Sequence, residues 1–334
     1  MQLFKRKARS SSRVGLAVHS DQLALAHVEQ RAGEPWLRQC ERVAIDSPKA
    51  AAKTLAKLVK ELDLAGKQVS YVLNPADYGL HLVEAPNVEP EELRAAVRWK
   101  IKDLLDMKAE EAAIDVFRVP QDAYRGREMV YVVTTQKSRI QTIVDLVNNA
   151  ELELAVIDIP ELVMQNIAVR YLNDDNGLAF MDLRHTGSTM NITRGGELYL
   201  TRRINTQLGQ EVMRSPDWDT LKDRMVLEIQ RSLDYYESQS GKSQITEVVI
   251  AQRQTDTEEL TRELDSLLPA KVSALDLSRH LDGDVTQTPE LQQVALTAIG
   301  ATLRGGRKQE KESGPADAEA EESDESGRSA EEAA

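Results

Sequence analysis

The same strand grammar occurs twice in this chain. Residues 14–19 (VGLAVH) and 22–30 (QLALAHVEQ) alternate around a short polar turn, and WLRQCERVAI (36–45) continues the run. Far downstream, GLAFMDL (177–183), STMNITR (188–194) and ELYLTRRIN (197–205) repeat it, with Gly195–Gly196 between the last two. A Gly-Gly pair supplies the positive φ angles of a tight hairpin turn, so that register is set locally. Two meanders that each lead into strand–helix units predict an α/β fold made of two similar halves. Residue identity between the halves is low, so the duplication is read from element order alone.

Between the repeats the pattern is richer. SPKAAAKTLAKLVKEL (47–62) predicts a helix with Ser47 as N-cap and Pro48 at its first position. QVSYVLN (68–74) and YGLHLVEA (78–85) predict strands. A helix is predicted over 86–107, with Leu93, Val97, Ile101, Leu104 and Leu105 on one face and Trp99 packed between helix and sheet. Residues 112–120 and 127–135 read as a strand pair, 138–150 as a helix, 153–159 as a strand and 160–172 as a helix. After the second meander come a long helix ending at Gly241 and a strand over 245–251. A helix over 256–268, a strand over 270–277 and a closing helix over 289–303 follow. The Tyr235–Tyr236 pair on the long helix reads as core and rim.

Composition sets limits on function. The chain has 334 residues, 41% apolar and 29% charged, which is long enough for two domains. A formal charge of −13 argues against nucleic acid as a partner, because that binding needs basic surface. No run of apolar residues is long enough for a membrane span. The start, MQLFKRKARSSSR, has no apolar stretch behind its basic residues and is not a secretory signal. Residues 1–12 read as a flexible basic arm. Residues 305–334 lack large apolar side chains and read as a disordered acidic tail. Cys40 is the single cysteine and reads as a small buried residue. The five histidines have no metal-ligand spacing, and no nucleophile elbow or phosphate-cradling G-x-x-x-x-G-K is present.

Local sequence carries a resemblance. EELRAAVRWKIKDLLDMKAEEAAIDVFRV (91–119) resembles a segment of the PilM-type pilus assembly proteins, with Arg98–Trp99 and Asp115 in the matching places. EIQRSLDYYESQSG (228–241) and VALTAIGATLRG (294–305) resemble two of that family's helices, and Asp182 after GLAFM resembles the start of its second phosphate loop. The resemblance covers about residues 13–305. It implies an actin-like (ribonuclease H-like) duplicated α/β fold with a small α+β insert in the first half. On that basis residues 13–66 and 151–175 form the first subdomain and 67–150 the insert. Residues 176–304 form the second half, with a helical part over 207–244.

The family's cofactor is Mg·ATP, held by glycine-bearing hairpin turns and acidic residues. The resemblance places Gly15, Ser20, Asp182, Gly187, Ser188 and Thr189 at that site, with Asp182 the metal contact if nucleotide binds. Four glycine-dependent places depart from the family pattern. Ala17 and His19 replace an Asp and a Gly of the first loop, and Leu183–Arg184 fall where the second loop has its Gly. Asn205–Thr206 replace a Gly-Gly pair, and Ala251–Gln252–Arg253 replace the adenosine turn. Arg184 or His185 could instead hold phosphate by charge.

The expectation is therefore a non-catalytic scaffold with a degenerate nucleotide site and no required cofactor. The degenerate loops point to the MshI branch of mannose-sensitive haemagglutinin pilus systems. The resemblance implies a cytoplasmic protein held at the inner membrane by the N-terminal tail of a PilN-like bitopic protein. That tail would lie in a groove between the first subdomain and the insert, and the pilus assembly ATPase is a further candidate partner. Two other readings stay open: an active ATP-binding switch of the same assembly, and a polymerising actin-like protein of cell division or shape.

Overall fold

The structure, a computed structural model, describes residues 12–47, 50–185 and 187–305. Most of the expected N-terminal arm, the tail beyond Gly305 and the Pro48 position lie outside the described residues. Ser12, assigned to that arm, is buried: its Oγ lies 3.0 Å from His27 Nε2 and accepts from Lys67 Nζ at 3.2 Å.

Three sheets organise the chain. The first contains β1 (Arg13–Val18), β2 (Gln22–Arg31), β3 (Glu34–Ala44), β4 (Gln68–Val72) and β8 (Glu153–Asp158), in the order β3-β2-β1-β4-β8. The first three are an antiparallel meander, and β4 and β8 add in parallel. The second contains β9 (Leu178–Asp182), β10 (Ser188–Arg194), β11 (Glu197–Ile204), β12 (Glu247–Ala251) and β13 (Lys271–Leu275), in the order β11-β10-β9-β12-β13. Its pairing repeats the first: a three-stranded meander with two strands added in parallel. The third sheet is antiparallel, in the order β5-β7-β6, from β5 (Tyr78–Glu84), β6 (Ala112–Arg118) and β7 (Met129–Gln136). Gly195 and Gly196 have φ of 57° and 82°, as the β10–β11 turn demands.

Helices fill the gaps. α1 (Ala50–Glu61) and α3 (Lys137–Asn149) cover one face of the first sheet, burying Leu55, Val59, Ile143 and Val147 with Leu16 and Tyr71. Ala50 N–H donates to Ser47 Oγ at 3.3 Å at the start of α1. Between the two five-stranded sheets lie α4 (Pro160–Tyr171) and α7 (Pro289–Thr302), and each packs on the other half's sheet. α4 follows β8 of the first sheet yet reaches β10 and β11, where Asn191 Nδ2 donates to Glu161 O at 2.7 Å. α7 ends the second half yet lies on β1 to β4. This exchange amends the sequence-based grouping of 289–303 with the second half alone. α5 (Trp218–Ser240) and α6 (Thr257–Leu267) complete the second half.

Two further expectations change. β4 falls within 67–150, the stretch expected to form the insert, but pairs with β1 and β8 inside the first sheet. Its one-residue alternation shows that it is a strand and cannot show its partner. The helix expected over 86–107 is shorter: α2 spans Leu93–Lys100, and a 3-10 turn, Lys102–Leu104, follows. Arg98 Nη1 donates to Ala109 O at 2.6 Å, which folds the chain back towards β6. Leu93, Val97 and Ile101 are buried, whereas Leu104 is exposed and Trp99 is 77% exposed rather than packed. No helix among the described residues is long and apolar enough to cross a membrane.

Candidate functional site

The first expected phosphate loop is the turn between β1 and β2. His19 N–H donates to Gln22 O at 2.8 Å and closes it. Ala17 is buried, and Ser20 is exposed at the tip. Gly15, grouped with this site on sequence, lies inside β1 against α7. A Cβ there would stand 1.8 Å from Ala298 O, so its small size serves helix packing.

The second loop joins β9 to β10. Asp182 ends β9 opposite Thr189, and Arg184 Nε donates to Asp182 Oδ2 at 2.6 Å. Ser188 Oγ donates to Thr206 O at 2.9 Å, tying β10 to the segment after β11. Gly187 has φ of 123° and open space around it. Asp182, Gly187, Ser188 and Thr189 therefore share one loop, while Ser20 belongs to the other and Gly15 to neither. His19 faces the second loop. Burial, with Arg184 and more weakly His185 against it, holds its pKa down near about 4, and Asp21 acts in the opposite sense. The imidazole is thus neutral at neutral pH, and its buried Nε2 has no hydrogen-bond partner.

The third part is the turn after β12, where the resemblance places adenosine. Arg253 is buried there, 2% exposed. Its Nη1 donates to Leu183 O at 2.8 Å and its Nη2 to Gly209 O at 2.8 Å. Thr257 Oγ1 accepts from its backbone N–H at 3.0 Å. Gln210 Nε2 donates to Gln254 Oε1 at 2.6 Å, and Glu211 N–H donates to Thr255 Oγ1 at 3.3 Å. The segments 208–211 and 253–255 are thus stapled together, and both are tied to the second loop through Leu183. Charged donors on carbonyls make strong bonds in a low-dielectric site. The sequence showed that glycine was missing here but not what the arginine does. An arginine two positions after the apolar run VVIA was the available signal.

A second concave feature lies under the insert. A groove of about 380 Å³ runs along β6, with the five consecutive residues Ala113 to Phe117 on one side. Ile140 of α3, Ile157 of β8, Ile159 between β8 and α4, and Leu162 of α4 complete its lining. β6 is an edge strand, paired only with β7. Val116 N–H donates to Asp115 Oδ1 at 3.0 Å, so a neighbouring side chain caps it. Such capping is one way an open edge is kept from pairing with other chains. Asp115 is held in turn by Arg94 at 2.8 Å. At the floor, Arg304 Nη1 donates to the buried Asp158 Oδ2 at 2.7 Å. Burial raises the Asp158 pKa, and Arg304 opposes it.

The groove adjoins a three-way junction. Glu161, in the first turn of α4, is 1% exposed and accepts from Tyr78 Oη at 2.5 Å. Arg203 of β11 lies 3.8 Å from its other oxygen. The carboxyl therefore touches the start of the insert and the second half at once. Burial raises its pKa, while the Tyr78 hydrogen bond lowers it. The insert also meets the second half directly: Thr201 N–H donates to Tyr131 Oη at 3.0 Å, and Tyr199 Oη donates to Asp122 Oδ1 at 2.8 Å.

No protein-family profile matches the sequence, and no curated protein matches it. Solved structures do. The chain is similar to one from the PilM–PilN type IV pilus biogenesis complex, with a TM-score of 0.70 at 16% identity, covering 89% of this chain and 99% of that one. It is also similar to the cytoplasmic domain of EpsL, an inner-membrane component of the type II secretion system of Vibrio cholerae. There the TM-score is 0.46 at 11% identity, over 86% of this chain and 95% of that one. A Bacteroides thetaiotaomicron protein with an actin-like ATPase fold gives 0.48 at 10% identity, over 84% and 96%. With its two equivalent five-stranded sheets and exchanged helices, the chain has the duplicated actin-like fold.

Proposed function

We propose that this protein is a non-catalytic scaffold of a type IV pilus assembly machine, and that its groove under β6 holds an extended cytoplasmic tail of a PilN-like inner-membrane protein. The observation that carries this reading is the groove itself. It offers an unpaired strand edge for main-chain hydrogen bonds and an apolar wall for alternate side chains, which is how extended peptides are held. A tail that displaced Asp115 from Val116 N–H would gain that donor. The similarity to a structure from the PilM–PilN complex supports the choice of partner.

The residues of the cleft do not fit Mg·ATP as actin-like hairpins hold it. The acidic side chain carried over at the phosphate loops, Asp182, is engaged by Arg184, and the adenosine place is closed by Arg253 and its two flanking staples. No step of the proposed role uses nucleotide. The same degeneracy favours the MshI branch and a protein held at the inner membrane through its partner. The pilus assembly ATPase is a second candidate partner, for which the groove makes no specific provision.

The test is binding of a labelled N-terminal tail peptide of the bitopic partner, followed by anisotropy. Wild-type protein is expected to bind it. Leu162→Asp, which puts a charge on the half-buried groove wall, is expected to weaken binding at least tenfold with the protein still folded. Equal binding by both, or none by the wild type, overturns the reading.

A further inference from the structure

Trp99 has no role in the groove, which it does not line. It stands 77% exposed on α2, with Leu104 51% exposed just beyond the helix. Large apolar side chains left in water at one place mark an interaction surface more often than chance. Helical spacing puts Glu92, Ala95, Ala96 and Trp99 on one stripe, and Lys102 follows Trp99 by three residues. Glu92, Ala95, Trp99 and Lys102 are all exposed, and Ala96 is half-buried. Neither Glu92 nor Lys102 has an ion-pair partner among the described residues. The stripe thus reads acid, small, small, large aromatic, base.

That order is self-complementary when reversed. From this we infer that α2 is the contact surface for a second copy of this chain, the two helices lying antiparallel across a two-fold axis level with residue 97, on the exposed face opposite the buried Val97 side chain. The axis sets Trp99 of one copy on Ala95 and Ala96 of the other, a large side chain against a flat one. It also sets Glu92 of one copy beside Lys102 of the other. Both pairings are centred on residue 97, so one axis satisfies both, and each occurs twice. An isologous contact requires this reciprocity. An anionic lipid face is the less suitable occupant, because over residues 91–106 Glu91, Glu92, Asp103 and Asp106 balance Arg94, Arg98, Lys100 and Lys102 and leave no net positive charge to attract it.

The contact is small. Each Trp buries at most roughly 150–250 Å², so the pair falls short of the ~1,200 Å² of a stable interface. The dimer is therefore weak and concentration-dependent.

Sedimentation velocity of the full chain, from low micromolar to several hundred micromolar, tests this. The expected result is a rise in weight-average mass towards the dimer, reduced by high salt. Trp99→Ser is expected to abolish the rise with no change in melting temperature. Glu92→Lys and Lys102→Glu should each weaken it, and the double swap should restore it; a merely structural effect would not be rescued. A chain that stays monomeric throughout, or dimerises equally with Trp99→Ser, overturns the inference. So does a failed rescue. If the monomer's tryptophan emission instead shifts to the blue on phosphatidylglycerol vesicles, the face belongs to a lipid surface.

Discussion

Gly15 of β1 and Ala298 of α7 touch backbone to backbone: a methyl group on the glycine would stand 1.8 Å from the Ala298 oxygen. The helix comes from the far end of the chain, so this contact closes the exchange between halves. Gly15→Ala must push α7 off the first sheet. The expected cost is about 3 kcal/mol, at the upper end for overpacking in a core, read as a fall in the urea midpoint. A glycine kept for phosphate approach would show little loss of stability.

This contact also marks how far the sequence could be read. The hairpins were legible, because alternation and the Gly195–Gly196 turn are local signals. So was the fold class, because element order repeats. Partnership was not. β4 has the pattern of any buried strand, and only the fold shows it between β1 and β8. LRAAVRWK contains Val97 and Trp99 two positions apart, on opposite sides of a helix, and both could not be buried. Apolar character alone favours burying both, and α2 buries Val97 and leaves Trp99 exposed. Of the cleft, the missing glycines were visible, while the Arg253 staple depends on carbonyls from residues about 45 and 70 positions away. The groove residues were invisible individually. AAIDVFR is apolar at both parities: Ala112 and Ile114 join the cluster under α2, while the half-buried Ala113 and Phe117 line the groove.

Arg253 carries the second prediction. Its guanidinium satisfies the carbonyls of Leu183, which is buried, and Gly209, which is half-buried. Arg253→Ala is expected to destabilise by about 2–4 kcal/mol, as acceptors lose a charged donor. Arg253→Lys should recover little of this, because a single ammonium cannot span both carbonyls as the planar fork does. Urea denaturation of the three proteins, at one pH, measures the difference.

A third prediction concerns pH. The Glu161 carboxyl has its pKa raised by burial from an ordinary value of 4.5. The folded state then holds its proton at pH values where the unfolded chain has released it. Stability from this group is full below pH 4.5 and is lost as pH rises through the folded pKa. Glu161→Gln keeps an acceptor for Tyr78 and cannot ionise. Wild type and variant are expected to be alike near pH 4, and the variant more stable at pH 7. Stability curves across that range that stay parallel, or that diverge in the other direction, contradict the assignment.

We propose that the chain has closed its own nucleotide cleft and works as a scaffold. The most direct measurement is the melting temperature with and without millimolar Mg·ATP. A ligand at a hundred times its dissociation constant adds about 2.7 kcal/mol to the folded state, a shift of several degrees. No shift is expected. A clear rise, absent when Asp182 is replaced by Asn, would mean that nucleotide enters the cleft despite Arg253, and would contradict the proposal.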